Sequence, residues 1–227
     1  MQLSLYLMEL SELTPILLEG AWITLKILCL SLPVAGALAF IAGLTRLFAP
    51  TPLRQIARVY IEFFRGTSAL IQLYWIYFVL PFFGLSLDAM TASVIALGLN
   101  IGAYGAEVVR GSVLAVPKGQ YEAAVALNFT PWSRLWRIIL PQSLVNMIPP
   151  FGNLAIELMK ATSLVSLITI GDLTYKAKTL ADATLQVGEI FGLVLLIYFV
   201  IAQVMAYLFR LLEARLGRGM DRGGLRS

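Results

Sequence analysis

The chain has 227 residues, 59% hydrophobic and only 13% charged, with a mean hydropathy of +0.83. A soluble domain carries about a quarter charged residues, so this chain lacks the charge to coat a water-facing surface and is neither an ordinary soluble globule nor a disordered chain. It has no His and a lone Cys29, which excludes a disulfide framework, a Cys-based zinc site and His-based acid–base chemistry.

A membrane helix takes about 20 apolar residues, which leaves room for five spans, a single transmembrane domain over 1–227 and no separate soluble domain. The N-terminal stretch Met1 to Gly20 carries Glu9, Glu12 and Glu19 but no Lys or Arg, unlike a cleaved signal. The first apolar span is expected over 21–47 and the second over 66–84, where Tyr74, Trp75 and Tyr77 suit packing or an interfacial belt. The third is expected over 89–109. The fourth starts near 144 and passes Pro149 and Pro150, which must kink or divide it, to about 159, with a more broken apolar stretch to 170. The fifth covers 190–212. The tail 215–227 is Gly- and Arg-rich and is expected to fray.

Lys and Arg sort by loop. Arg46, Arg54, Arg58 and Arg65 follow the first span, Arg110, Lys118, Arg134 and Arg137 follow the third, and Arg210, Arg215, Arg218, Arg222 and Arg226 lie at or beyond the end of the fifth. The positive-inside rule then puts the N-terminus outside and the C-terminus inside. Lys160, Lys176 and Lys178 break the pattern. The net charge of +4 is thus topological, and no nucleic-acid partner is needed to explain it.

The loop 113–141 is long for a connection between spans. Lys118 to Leu127 is built of helix formers. Asn128 suits the left-handed residue that ends a helix. Thr130 is an N-cap candidate with Pro131 at the first helical position, and a second short helix, Trp132 to Leu140, is expected to stop at Pro141. Small residues at Ala123, Ala124 and Ala126 allow close approach by another surface, and Glu122 offers a charge to a basic partner. On these grounds alone the hairpin either lies on lipid headgroups or docks a partner. An intramembrane enzyme is a third reading, but no nucleophile–base pair is visible.

The string Glu122-Ala123-Ala124, then Asn128, then Ile138-Ile139-Leu140-Pro141 resembles the EAA loop of permease subunits of bacterial ABC importers. Phe64-Arg65-Gly66-Thr67 with Gln72-Leu73 resembles the polar amino acid branch of that family. So do Ala103-Tyr104-Gly105-Ala106-Glu107 with Arg110-Gly111, Val116-Pro117-Lys118-Gly119-Gln120, and Lys160 to Ser166 with Asp172-Leu173-Thr174. Asn128 departs from the family's usual Gly, which implies a strained or repositioned turn. The resemblance implies an all-α type I importer fold in the inner membrane, with Gly119, Glu122, Ala123, Ala124, Asn128, Leu140 and Pro141 forming the surface that docks a cytoplasmic ATPase dimer. It also implies a second permease subunit, identical or different, and a periplasmic solute-binding protein. ATP would be bound by the ATPase subunit, in keeping with the lack of a G-x-x-x-x-G-K-[ST] string here. The permease itself would need no cofactor and catalyse no reaction. The solute would be a polar amino acid or a derivative, and 157–172 is somewhat like ectoine-type members.

Charges inside a membrane usually face a cavity or a partner. Glu157 and Lys160, at i and i+3, line the pathway or pair with each other. Glu107 and Arg110 repeat that spacing and are expected as a structural pair. Gly98 and Gly102 form a G-x-x-x-G packing face, which brings Asn100 to an interhelical hydrogen bond or to the pathway. Asn153 and Thr162 complete the candidate pathway set, and Gln72 is a weaker candidate on the same grounds. An ATP-independent channel or secondary transporter would share the spans and charges but would leave the hairpin unused.

Overall fold

The computed structural model describes residues 2–216, with side chains from Thr14 onward. All regular elements among the described residues are helical. Nine α-helices follow in order: α1 Gln2–Phe48, α2 Thr51–Gly66, α3 Ala69–Tyr74, α4 Ala89–Leu114, α5 Lys118–Ala126, α6 Pro131–Arg134, α7 Leu140–Ala161, α8 Leu173–Thr184 and α9 Val187–Leu216.

The first span begins well before residue 21. Leu17 and Ala21 pack with Leu173, Ala177, Ile190 and Val194 in one apolar cluster, so tertiary contact carries the helix through Pro15. Four stretches are long and apolar enough to cross a membrane: 14–48, 89–114, 131–168 and 187–216. The expected second span is not one straight helix. α2 and the helical segment 69–83 meet at 107°.

The seam between α1 and α4 decides how that bent pair is read. A Cβ on Gly98 would lie 2.7 Å from Val34 Cγ1, one on Gly102 would lie 2.8 Å from Leu38 Cβ, and one on Gly105 would lie 2.7 Å from Ala39 Cβ. Gly43 meets Ala106 O and Val109 Cβ, both at 2.8 Å. Both sets of numbers rise together, so α1 and α4 run parallel. The chain between them must therefore return across the membrane, and the bent pair is that crossing. Five spans result, with α7 antiparallel to α4: Phe151 lies against Gly105, Met147 of early α7 clusters with Val109 and Val113 of late α4, and Leu158 of late α7 belongs to the cluster of Ala92 and Leu97 of early α4.

Pro141, expected to stop the second hairpin helix, is passed, and so is Pro81 inside the second span. Helical turns of the wider π type, Trp75–Val79 and Leu135–Ile139, precede Pro81 and Pro141. Leu80 N–H donates to Trp75 O and Leu140 N–H to Leu135 O. The wider turn relieves the clash between the ring and the preceding carbonyl and absorbs the missing donor, so the second hairpin helix runs on into α7. Pro149 and Pro150 likewise lie inside a continuous α7. After it, a 3-10 segment Thr162–Ile168 ends at left-handed Thr169.

α8 was not foreseen as an element of its own. Asp172 caps it, accepting from Thr174 N and Tyr175 N, and burial pushes its carboxyl up to about 6. α8 sits against α1 through Leu173 N donating to Thr24 Oγ1 and an ion pair of Lys176 with Glu19. At α4's start, hydrogen bonds from Thr91 hold the Asp88 carboxyl below the usual range. Most of the tail expected to fray lies outside the described residues, whereas Arg215 and Leu216 close α9.

Gly102→Val drives a branched side chain into Leu38 and Ala35 O. Overpacking of this kind costs about 1–3 kcal/mol, expected as a lowered unfolding midpoint of the purified protein. Gly36→Ala, where a Cβ meets nothing within 4 Å, leaves the midpoint unchanged or slightly raised. Equal midpoints for the two variants would contradict the seam.

Candidate functional site

The five-span path gathers Arg46, Arg54, Arg110, Lys118, Arg134, Arg137 and Arg215 at one end of the bundle, and the α5–α6 hairpin projects there. α5 ends as the residue types dictate. Asn128 has φ 55. Its N–H donates to Val125 O, and Phe129 N–H donates to Ala124 O. These paired bonds form a Schellman closure with Asn in the glycine position. The turn closes with Asn128 in the left-handed region, which a short polar side chain tolerates. Thr130 Oγ1 then accepts from Ser133 N, and Pro131 opens α6.

The hairpin is anchored by Tyr121, whose hydroxyl reaches Val113 O and whose ring packs on the cluster of Val113, Leu135 and Ile139. Burial pushes its phenol up, against the pull of Arg134, so it stays a neutral donor. Gly119, Glu122, Ala123, Asn128 and Pro141 are exposed. Ala124 and Leu140 are buried instead: Ala124 packs inward, and Leu140 joins Ala39, Val109 and Met147. Tyr121, Glu122, Val125 and Ala126 line a shallow open groove. Leu127 and Trp132 stand about 70% exposed beside it. The hairpin thus offers an apolar surface around one carboxylate.

The other candidates lie within the bundle. Asn100 is buried, and its amide donates to Phe64 O at 3.1 Å and Gln72 Oε1 at 3.0 Å. Gln72 Nε2 donates to Phe64 O at 2.9 Å and to Thr67 Oγ1 at 2.7 Å. These amides satisfy carbonyls released where α2 breaks, which hydrocarbon would leave unsatisfied. Thr162 is also buried and donates to Met159 O. The structure therefore brings Asn100 and Thr162 to backbone carbonyls, while Asn153, Glu157 and Lys160 share an exposed face of α7 with Asn146.

No ion pair joins Glu157 to Lys160 among the described residues. Glu107 and Arg110 do pair, at 2.8 Å, and Arg46 of α1 bonds the other carboxylate oxygen. Arg46 was missed because the helical spacing that exposes Arg110 is silent on a partner 61 residues away. Arg65 was also passed over. Its guanidinium lies 5.4 Å above the Tyr104 ring. The available signal was a charge beside a Gly-Thr pair inside an aromatic stretch.

Residues 35–218 match the model of the family described as binding-protein-dependent transport system inner membrane component. The chain belongs to this family. It is 44% identical over 206 residues to a probable amino-acid ABC transporter permease of Sinorhizobium fredii, covering 88% of this chain and 87% of the relative. It is 38% identical to the glutamine transport system permease GlnP of Escherichia coli, covering 89% and 93%. The L-cystine transport system permease TcyB of Bacillus subtilis is also 38% identical, with 90% and 88% covered. Among solved structures, an amino acid ABC transporter with histidines superposes with a TM-score of 0.86 at 34% identity, covering 92% of this chain and 97% of that one. The inward-facing MetNI methionine transporter shares the fold, with a TM-score of 0.74 at 18% identity over 89% and 97% of the chains.

In this family member, the side chains of Arg46 and Glu107 are only 22% and 20% exposed. Removing Glu107 strands Arg46, whereas removing Arg46 leaves Glu107 with Arg110 alone. A double-mutant cycle of Arg46→Ala and Glu107→Ala is expected to return a coupling of about 1–3 kcal/mol in unfolding free energy. Additive effects would show that the pair is not made.

Proposed function

We propose that this chain is the permease subunit of an ATP-driven importer for a polar amino acid or an amino-acid-derived solute. The observation that carries this is the exposed α5–α6 hairpin at the arginine-rich end of a bundle belonging to this transport family. On this reading the arginine-rich end is cytoplasmic, the N-terminus is periplasmic, and an ATPase dimer grips the hairpin. Glu122, Ala123, Gly119 and Asn128 meet that partner directly. Ala124, Leu140 and Pro141 hold the hairpin's shape, so closure of the ATPase dimer moves α7 with it through the continuous helix.

The surface of the bundle supports a second permease subunit. α9 exposes Leu195, Leu196, Phe199, Val200 and Leu208, a face that suits lipid tails. α7 exposes Asn153, Glu157 and Lys160 over its length, and hydrocarbon is a costly place for such groups. That face meets a second permease subunit, the same chain or a different one, across a polar pathway. A periplasmic binding protein delivers the solute from the opposite end, and the ATPase subunits bind the ATP. The names of the relatives favour amino acids over ectoine-type solutes.

The test is uptake of labelled amino acids by proteoliposomes holding the permease, its ATPase and its binding protein. Glu122→Arg reverses the hairpin's one carboxylate and is expected to lower ATP-coupled uptake at least about tenfold, as like-charge contacts at an interface do. Uptake equal to that of the unsubstituted protein would contradict the docking role.

A further inference from the structure

The break between α2 and α3 presents an arginine that no carboxylate among the described residues neutralises. Arg65 is exposed. Its guanidinium is stacked over the Tyr104 ring, while the Tyr104 hydroxyl reaches Arg65 O at 3.4 Å. Main chain and side chain are thus both held by one residue of α4. Among the described residues, no carboxylate lies within ion-pair distance of Arg65 and no acceptor takes its N–H groups, whereas Arg46, Arg58 and Arg110 each have a carboxylate.

The depth is set by α4. Tyr104, whose ring carries the guanidinium, stands 15 residues from Ala89 and 10 from Leu114, about 22 and 15 Å along the helix. In a hydrocarbon layer about 30 Å thick, that is inside the layer, about one turn from the middle towards the arginine-rich end. A cation pinned at this depth does not face lipid tails. A stacked guanidinium keeps its N–H edge free, and that edge matches the two oxygens of a carboxylate.

We propose that Arg65, presented by the interrupted helix and held over Tyr104, binds the carboxylate of the transported solute. The assignment rests on the reading of this chain as an amino-acid permease. It adds a requirement that the fold alone does not impose: the solute must bear a free carboxylate.

The test is binding without the binding protein, so that its specificity does not intervene. The permease–ATPase complex, in phosphatidylcholine nanodiscs, is dialysed against the twenty protein L-amino acids plus L-cystine, and retained compounds are read by mass spectrometry. The unsubstituted complex is expected to retain at least one of them, and its α-carboxamide to displace it at least about thirtyfold less well. Arg65→Gln is expected to weaken retention by a similar factor, and Arg65→Lys to keep most of it.

Equal displacement by acid and amide overturns the proposal on the unsubstituted protein, whether or not the variants assemble. So does retention of no amino acid, or retention by Arg65→Gln within about twofold, the result expected if Arg65 holds a lipid phosphate. Loss of the paired permeases in Arg65→Gln, restored by Arg65→Lys, gives Arg65 to a carboxylate of the second subunit and also overturns it. ATP-coupled uptake by the complete transporter alongside any of these results leaves the importer reading standing while this assignment falls.

Discussion

The close approach of α1 and α4 is the constraint from which the rest of the architecture follows. Gly98, Gly102 and Gly105 of α4 meet Val34, Leu38 and Ala39 of α1 at separations that leave no room for a Cβ. In a membrane, where burying apolar surface gives helices little reason to associate, such packing is a main source of cohesion. It also fixes direction. Two parallel spans require a return crossing, and the chain between Phe48 and Ala89 makes it with a 107° break. The break frees carbonyls at Phe64 and Thr67, and the buried amides of Gln72 and Asn100 take them up.

That path determines where chemistry is available. The hairpin reaches the arginine-rich end with its backbone closed by Asn128 and Thr130, so its shape depends little on a partner. α7 carries polar side chains outward while α9 carries apolar ones, and the subunit therefore has one face suited to lipid and another suited to a polar neighbour. Glu107 ties α1 to α4 near the arginine-rich end through two arginines. On the proposed reading, hairpin, α7 and pathway face form one mechanical unit, with the ATP consumed elsewhere.

Features governed by neighbouring residues were legible in the sequence. Asn128, Thr130 and Pro131 announce their turn because left-handed backbone and helix caps select few residue types. The small-residue spacing of Gly98 and Gly102 announces close packing. Features governed by distant residues were not legible. Pro81 and Pro141 are helix stops by local rules, and only the wider turns before them show otherwise. The break at Gly66–Ser68 disappears in an apolar average over 66–84. α8 is too short and too polar to register beside the spans and is held by Gly20 and Thr24. Spacing of i and i+3 found the pair at Glu107 but also offered one at Glu157, where both side chains turn outward. Of the hairpin residues assigned to docking, Ala124 and Leu140 are buried, a distinction that composition does not carry.

Five crossings place the start of α2 and the loop before α4 on opposite sides of the membrane, whereas four crossings with a re-entrant 51–83 would place them on the same side. Single cysteines at Thr51 and Leu85, in a Cys29→Ala background, report this with a membrane-impermeant maleimide. The account predicts that Leu85→Cys reacts in intact cells, while Thr51→Cys reacts only in inverted vesicles. Labelling of both from the same side would contradict it.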